Sequence, residues 1–294
     1  MNKKFVQKFI INNFQKGTRL DIFLTKNLDI SRSQAQVKIK RGQVRVNDNL
    51  LTPGYILSEG DEIVMVEKYK QKGLEIGIIY EDSDILVINK PAGITVHPAS
   101  GEQEITVSEM FADSYQGKCN TDRDMIVHRL DKGTSGVMVM AKNEASRDSL
   151  IAQFAARMVT KKYIALVMGK VFPAEGVIDI PLARDSSVRN KISPLETGKE
   201  SKTLYKVTKL YDGYTLISAS PKTGRTHQIR VHFAAIGHPI YGDSRYGTPN
   251  AEINRIFLHA AEISFTHPTT GKKLRFTCDL PEELKCVLTK LPIE

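Results

Sequence analysis

Between Gly17 and Val66 the apolar residues fall into two helical periods followed by two short alternating runs. Leu20, Phe23, Leu24 and Leu28 recur at the spacing of one helix face. Asp29-Ile30-Ser31 breaks that period, and Ser31 with Gln34 makes a capping box for a second helix, which Gly42 ends. Strands are expected near Gln43–Asn47 and Asp61–Val66, with Asn47-Asp48-Asn49 and Gly60-Asp61 as turns. The stretch Glu67–Gly77 is polar, Lys-rich and without period, and is read as a linker.

From about Ile78 the pattern changes to short strands with few helices. Ile78–Tyr80 and Ile85–Asn89 flank a turn, and Gly136–Ala141 and Lys162–Met168 read as further strands. Asn143 is placed to cap a helix running to about Arg157, with Leu150, Ile151, Phe154 and Met158 on its buried side. Thr203–Leu210 and Tyr214–Ala219 form a hairpin across Asp212-Gly213, and Ile263–Thr266 with Leu274–Thr277 a second. Thr226 is placed to cap a short helix ending near Gly237, with Ile229, Phe233 and Ile236 inward. Hairpin-linked strands imply an α+β architecture with a mixed, largely antiparallel sheet. The expected division is a small domain over residues 17–67 and a large one over 78–294.

Composition narrows the class. The 294 residues are 41% hydrophobic, enough for a sizeable core, and no run approaches the roughly 20 apolar residues of a membrane span. The N-terminal segment MNKKFVQKFIINNFQKG lacks a small-residue cleavage site and reads as mature protein. Cys119, Cys278 and Cys286 form no CxxC pair, which argues against a zinc ribbon or a disulfide framework and favours a reducing, cytoplasmic setting. The net charge is +9. Its placement matters more than its size. Arg32, Lys38, Lys40, Arg41 and Arg45 follow one another with no acidic residue between them, a one-signed face suited to a phosphate backbone.

Three segments carry the chemistry. His128-Arg129-Leu130-Asp131-Lys132-Gly133-Thr134-Ser135-Gly136 lies in a loop entering a strand. Pro221–His232 (PKTGRTHQIRVH) runs from a strand end into a helix, and Lys161-Lys162-Tyr163-Ile164-Ala165 lies between them. With INKPAGITVHP upstream and GHPIYGDSRYG and LHA downstream, these segments resemble the RluA family of RNA pseudouridine synthases. TRLDIFL, SRSQAQVKIKRGQVRVN and GDEIVMV resemble the S4 RNA-binding domain. The S4 segment in front and the ending NRIFLHAAEISFTHPTTG look more like the RluC and RluD members.

That resemblance implies a small α/β S4 domain followed by a pseudouridine synthase domain. It also implies isomerisation of uridine to pseudouridine in RNA without cofactor or metal. The N1–C1′ bond breaks, the base turns, and C5 bonds to C1′; a carboxylate serves as nucleophile or base. Asp131 matches the family's essential Asp, and whether it attacks C1′, adds at C6 or removes a sugar proton stays open. Arg230 matches its basic neighbour, for which charge is expected to matter more than fork geometry. Tyr163 matches a ring that stacks on the base, Arg129 a residue implicated in displacing it, and Ile229 an apolar contact. A phosphate contact for Arg129 and plain core packing for Ile229 are the rival readings. Arg32, Lys38, Lys40, Arg41 and Arg45 are assigned to RNA binding.

His128, His227 and His232 lack the i, i+4 spacing of helix-borne metal ligands, and no GxxxxGK[ST], GxGxxG or GxSxG pattern is present. The S4-bearing resemblance points to 23S-type ribosomal RNA or pre-ribosomal particles as partner, with no membrane. The alternatives are a non-catalytic RNA-binding ribosome-assembly factor and a synthase acting on transfer RNA.

Overall fold

The computed structural model describes residues 5–40, 42–66, 76–97, 106–111, 125–185, 188, 191–249 and 252–294. Arg41, Cys119 and linker residues 67–75, named above, lie outside them. The chain divides into two compact units. One holds Met1–Glu75, His97–Ser114 and Asn120–Arg123, and the other Ile76–Val96, Tyr115–Cys119 and Asp124–Glu294.

The N-terminal unit contains β1 (Phe5–Ile10), α1 (Leu20–Leu28), α2 (Arg32–Lys40), β2 (Val44–Val46) and β3 (Glu62–Val66). Its strands form an antiparallel sheet in the order β1-β3-β2. Leu20, Phe23 and Leu24 of α1 meet Ala35 and Ile39 of α2 over Val44, Val46 and Ile63. The capping box forms as expected. The Gln34 amide donates to Ser31 Oγ at 3.2 Å, and the Ser31 amide donates to Gln34 Oε1 at 2.8 Å. β1 precedes Gly17, where the sequence reading begins this module, and sets Phe9 edge-on to Phe23 with ring centroids 5.4 Å apart.

A buried carboxylate ties the two helices. Asp21 accepts from Arg19 Nε and Nη2 at 3.0 Å, Arg32 Nε at 3.1 Å and Gln36 Nε2 at 2.8 Å. Burial alone would raise its pKa; these donors hold it far below the carboxylate range. Arg32, the first residue of the basic run, is therefore partly engaged inside the module, with 56% of its side chain exposed.

The second unit begins with β4 (Gly77–Glu81) and β5 (Ile85–Lys90). A short helix, α3 (Val107–Phe111), follows in sequence but belongs to the first unit. Then come β6 (Ser135–Ala141), α4 (Glu144–Ala155) and β7 (Thr160–Met168). β8 (Glu175–Asp179), β9 (Leu182–Arg184) and β10 (Ile192–Pro194) precede the long hairpin of β11 (Lys202–Tyr211) and β12 (Tyr214–Pro221). The unit ends with α5 (Gln228–Ala235), β13 (Leu258–Thr266), β14 (Lys273–Thr277) and α6 (Glu282–Lys290).

Its main sheet has nine strands in the order β4-β5-β6-β13-β7-β12-β11-β8, with β14 paired to β13. Every pairing is antiparallel except β6 with β13, which run parallel over Ser135–His259 and Gly136–Ala260. The glycine of the TSG segment is explained here. Gly136 has φ +120°, and a Cβ on it would run into the Ala260 backbone. Phe233, Phe257, Ile217, Leu166 and Leu284 fill the core beneath β7 and β12, while Leu150 and Val139 anchor a second cluster under β6.

Three expectations need correcting. Ile151 is 45% exposed, on the side of α4 that lines a cleft, and Met158 is 61% exposed, because α4 ends at Ala155 and Met158 no longer follows its phase. Ile236 is 37% exposed, just past the end of α5. Thr226 does not cap α5; His227 occupies the N-cap with φ +55° and no side-chain cap bond. Gln228 closes that loop instead, its Oε1 accepting from Thr223 Oγ1 at 2.6 Å and from the Arg225 amide at 3.0 Å. Among the described residues no helix is long and apolar enough to cross a membrane.

Candidate active site

Asp131 lies in the loop before β6, and two backbone bonds fix that loop. The Thr134 amide donates to the Asp131 carbonyl at 3.0 Å, and the Gly93 amide donates to the Lys132 carbonyl at 2.7 Å. Its carboxylate is 17% exposed and opens into a cleft of about 530 Å³, within the roughly 300–1,000 Å³ usual for ligand sites. Tyr163 of β7 and Ile229 and Arg230 of α5 line the same cleft, and Arg129 is exposed at its rim. Residues far apart in sequence thus line one cleft.

Arg230 is held on two sides. Its Nη1 donates to Asp131 Oδ2 at 3.4 Å, while Nε and Nη2 donate to Asp243 Oδ2 and Oδ1 at 2.7 and 2.9 Å. The Asp243 side chain is fully buried and also accepts from the amides of Arg245 and Tyr246 at 3.0 and 3.2 Å. The Tyr246 ring lies 5.0 Å from the guanidinium carbon. Burial opposes the charge on Arg230, but the two carboxylates outweigh it and raise its pKa. Asp243 is likewise lowered by Arg230 against the effect of burial. The fork is therefore in use, two of its donors on Asp243 and the third on Asp131. The sequence reading put charge first and fork geometry second; here all three donors of the fork are engaged.

His227 adds a neutral neighbour. Its left-handed backbone, a strain on the order of 1 kcal/mol, carries the ring to Tyr246, with Nδ1 2.8 Å from the hydroxyl. Nε2 is then 4.0 Å from Asp131 Oδ2. Burial lowers its pKa more than Asp131 raises it, so Arg230 is the cation facing the carboxylate. The Tyr163 phenol is pushed up by burial first and by the Asp131 charge second, and stays protonated at neutral pH. Lys90 is fully buried, donates to the carbonyls of Pro91 and Ile94 at 2.9 and 2.8 Å, and is pushed down to about 7, chiefly by burial.

The other histidines are occupied structurally. His128 Nε2 accepts from the Val139 amide at 3.1 Å, the ring stacks on Phe154, and burial holds its pKa down to about 3. His232 lies between Thr203 Oγ1 and the Ile180 carbonyl at 3.0 and 3.1 Å. Among the described residues, Asp82, Asp84 and His267 form one cluster with a metal-like donor set. Its atoms already pair with one another and with the backbone. His267 Nδ1 accepts from the amides of Thr269 and Thr270, so Nε2 carries the proton it donates to Asp82 at 2.9 Å.

Asp243, Tyr246 and Lys90 were not picked out from sequence, and His227 was weighed only as a metal ligand. All four lie inside the segments quoted for the resemblance. A buried Arg needs a buried acid, and the Gly-Asp in GHPIYGDSRYG was the place to look for one.

The chain matches the RNA pseudouridylate synthase family over residues 84–235 and the S4 domain over residues 18–63. It is 38% identical to the RNA pseudouridine synthase YlyB of Bacillus subtilis, covering 94% of this chain and 95% of the relative. It is 36% identical to ribosomal large subunit pseudouridine synthase C of Haemophilus ducreyi, covering 98% and 97%. Among solved structures, human RNA pseudouridylate synthase domain containing 4 superimposes with a TM-score of 0.59 at 26% identity, over 74% of this chain and 94% of that one. The match to the family extends across more than half of the chain, includes both Asp131 and Arg230, and joins an S4 domain in front: this protein belongs to the RNA pseudouridylate synthase family.

Proposed function

We propose that the chain isomerises uridine to pseudouridine in RNA, with Asp131 as the carboxylate that works on the glycosidic bond. The observation that supports this best is the pair at the cleft floor, Asp131 Oδ2 and Arg230 Nη1 3.4 Å apart, with Tyr163 and Ile229 on the walls. The reaction is redox-neutral and keeps every atom. N1–C1′ breaks, C5–C1′ forms, C5 loses a proton and N1 gains one. In this reading Arg230 is the cation that faces the carboxylate and holds it in place through Nη1. Tyr163 presents a ring face for the uracil and a protonated hydroxyl for exchange at C5. Arg129, at the rim, fills the space that the turned-out base leaves, offsetting stacking lost on extrusion. Ile229 packs against the base.

Two relatives carry names that specify the ribosomal large subunit, synthase C of Haemophilus ducreyi and synthase D of Vibrio cholerae. We infer the same class of substrate here, 23S-type ribosomal RNA or its pre-ribosomal particle. The N-terminal unit supplies phosphate contacts from Arg32, Lys38, Lys40, Arg41 and Arg45. Carbodiimide labelling of large-subunit RNA and transfer RNA, each incubated with the protein, tests the reading. New modification sites confined to large-subunit RNA support it. Sites confined to transfer RNA replace the substrate, and none in either overturns the activity.

A further inference from the structure

The cleft that holds Asp131 and Arg230 is also lined by a cation, Lys161, that the reaction as described above does not use. Lys161 lies two residues before Tyr163 on β7, so both side chains leave the same face of the strand. It lines the cleft beside Phe154, Arg157 and Arg225. Its ammonium lies 5.9 Å from the Phe154 ring centroid and reaches the Thr223 carbonyl at 3.5 Å. Among the described residues it forms no ion pair. Its neighbours do: Lys162, on the opposite face, pairs with Glu262 at 3.4 Å, and Arg157 with Glu200 at 2.8 Å. A partly buried cation left unpaired is costly, and burial alone pulls this ammonium down to about 8. The chain opposite adds no side chain, because Gly224 faces it, and a Cβ there would stand 3.9 Å from Nζ.

We propose that Lys161 binds a phosphodiester of the RNA beside the turned-out nucleotide, a second subsite next to the one that Asp131 serves. This rests on the functional reading above. Phosphate is favoured over the uracil itself because Lys161 lines the cleft together with two further cations, Arg157 and Arg225, and the uracil ring carries no charge to neutralise an ammonium. A compact ammonium is also suited to a phosphate oxygen as a point charge.

The test compares Lys161→Met and Lys161→Arg with the parent, using transcribed large-subunit RNA as the probe. Lys161→Met should melt at a higher temperature, since an unpaired cation is gone, yet bind about tenfold more weakly at 0.1 M salt. Its slope of log affinity against log salt should be shallower by about 0.7–0.9, one released counterion. Lys161→Arg should keep the slope. In the parent, the Lys161 contribution should fade as pH rises through 8, whereas in Lys161→Arg it should persist. Binding needs no turnover, so this arm stays readable even where no pseudouridine forms. An unchanged slope with unchanged affinity in Lys161→Met overturns the proposal. So does a rate lost at saturating enzyme with affinity and slope intact, which would put Lys161 on the base.

Discussion

Asp243→Asn tests whether a residue remote from the RNA sets the rate by holding Arg230. The amide keeps the shape of the side chain but turns a donor toward Arg230 Nε, which now lies 2.7 Å from a carboxylate oxygen. Removing one partner of a buried ion pair typically costs about 3–5 kcal/mol. Arg230 is 10% exposed and keeps Asp131 within reach, so the low end applies, about 3 kcal/mol. For a unit the size of the second one, which holds this site, that lowers the melting temperature by roughly 6–12 °C. Freed of Asp243, the guanidinium swings toward Asp131, and a displacement near 1 Å costs about a hundredfold in rate. The assay is single-turnover conversion at saturating enzyme, with affinity measured separately and expected to stay within about threefold. Arg230→Met supplies the control. In the double variant the two losses should not multiply, because Asp243 acts only through Arg230, and the neutral pair should be more stable than either single variant. A rate for Asp243→Asn within threefold of the parent, or fully multiplicative losses, would refute the reasoning.

Asp131→Asn should abolish conversion while leaving RNA affinity within about threefold, since affinity comes from many phosphate contacts; conversion above a few per cent of the parent rate would unseat Asp131. Reversing Lys38, Lys40 and Arg45 to Glu should flatten the salt dependence of binding by two to three counterions, at about 0.7–0.9 each. The rate at saturating enzyme should be unchanged, and a rate that falls with the affinity would give this surface a part in the chemistry. Asp82→Asn should change acid stability. Asp82 is held down to about 2 by donors from Ile85, Asp84, Tyr80 and His267, against the effect of burial. Its contribution is present above the unfolded value near 4 and is lost as pH falls through about 2, so the variant should lose at most about 2 kcal/mol at neutral pH and show a flatter profile between those limits. Urea melts at stepped pH decide it, and parallel profiles for parent and variant would count against the network.

Local signals in the chain were the legible ones. Ser31 with Gln34, Asn143 before α4 and the Asp212-Gly213 turn each act over a few residues, and each forms as written. The gathering of Asp131, Tyr163 and Arg230 was legible only through the resemblance. What was lost depended on partners distant in sequence. Asp243 looks like a loop acid until the fold buries it against Arg230. His227 was set aside as a metal ligand, and its place beside Asp131 shows only once its backbone takes a left-handed turn. β1 has no local cue that separates it from a terminal tail, because it becomes a strand only by pairing with β3. α6 was readable and was missed: Leu284 and Val287 lie at helical spacing behind two acidic residues.

The separation of 99 positions between Asp131 and Arg230 also orders events in time. At about 5–20 residues per second, ribosomes take roughly 5–20 s to add that stretch. Throughout that interval the N-terminal module is complete and the carboxylate has been made, but its guanidinium partner has not. Asp243, the anchor of that partner, comes thirteen residues later still. A chain whose translation stops early therefore carries the S4 module without the Asp131–Arg230 pair.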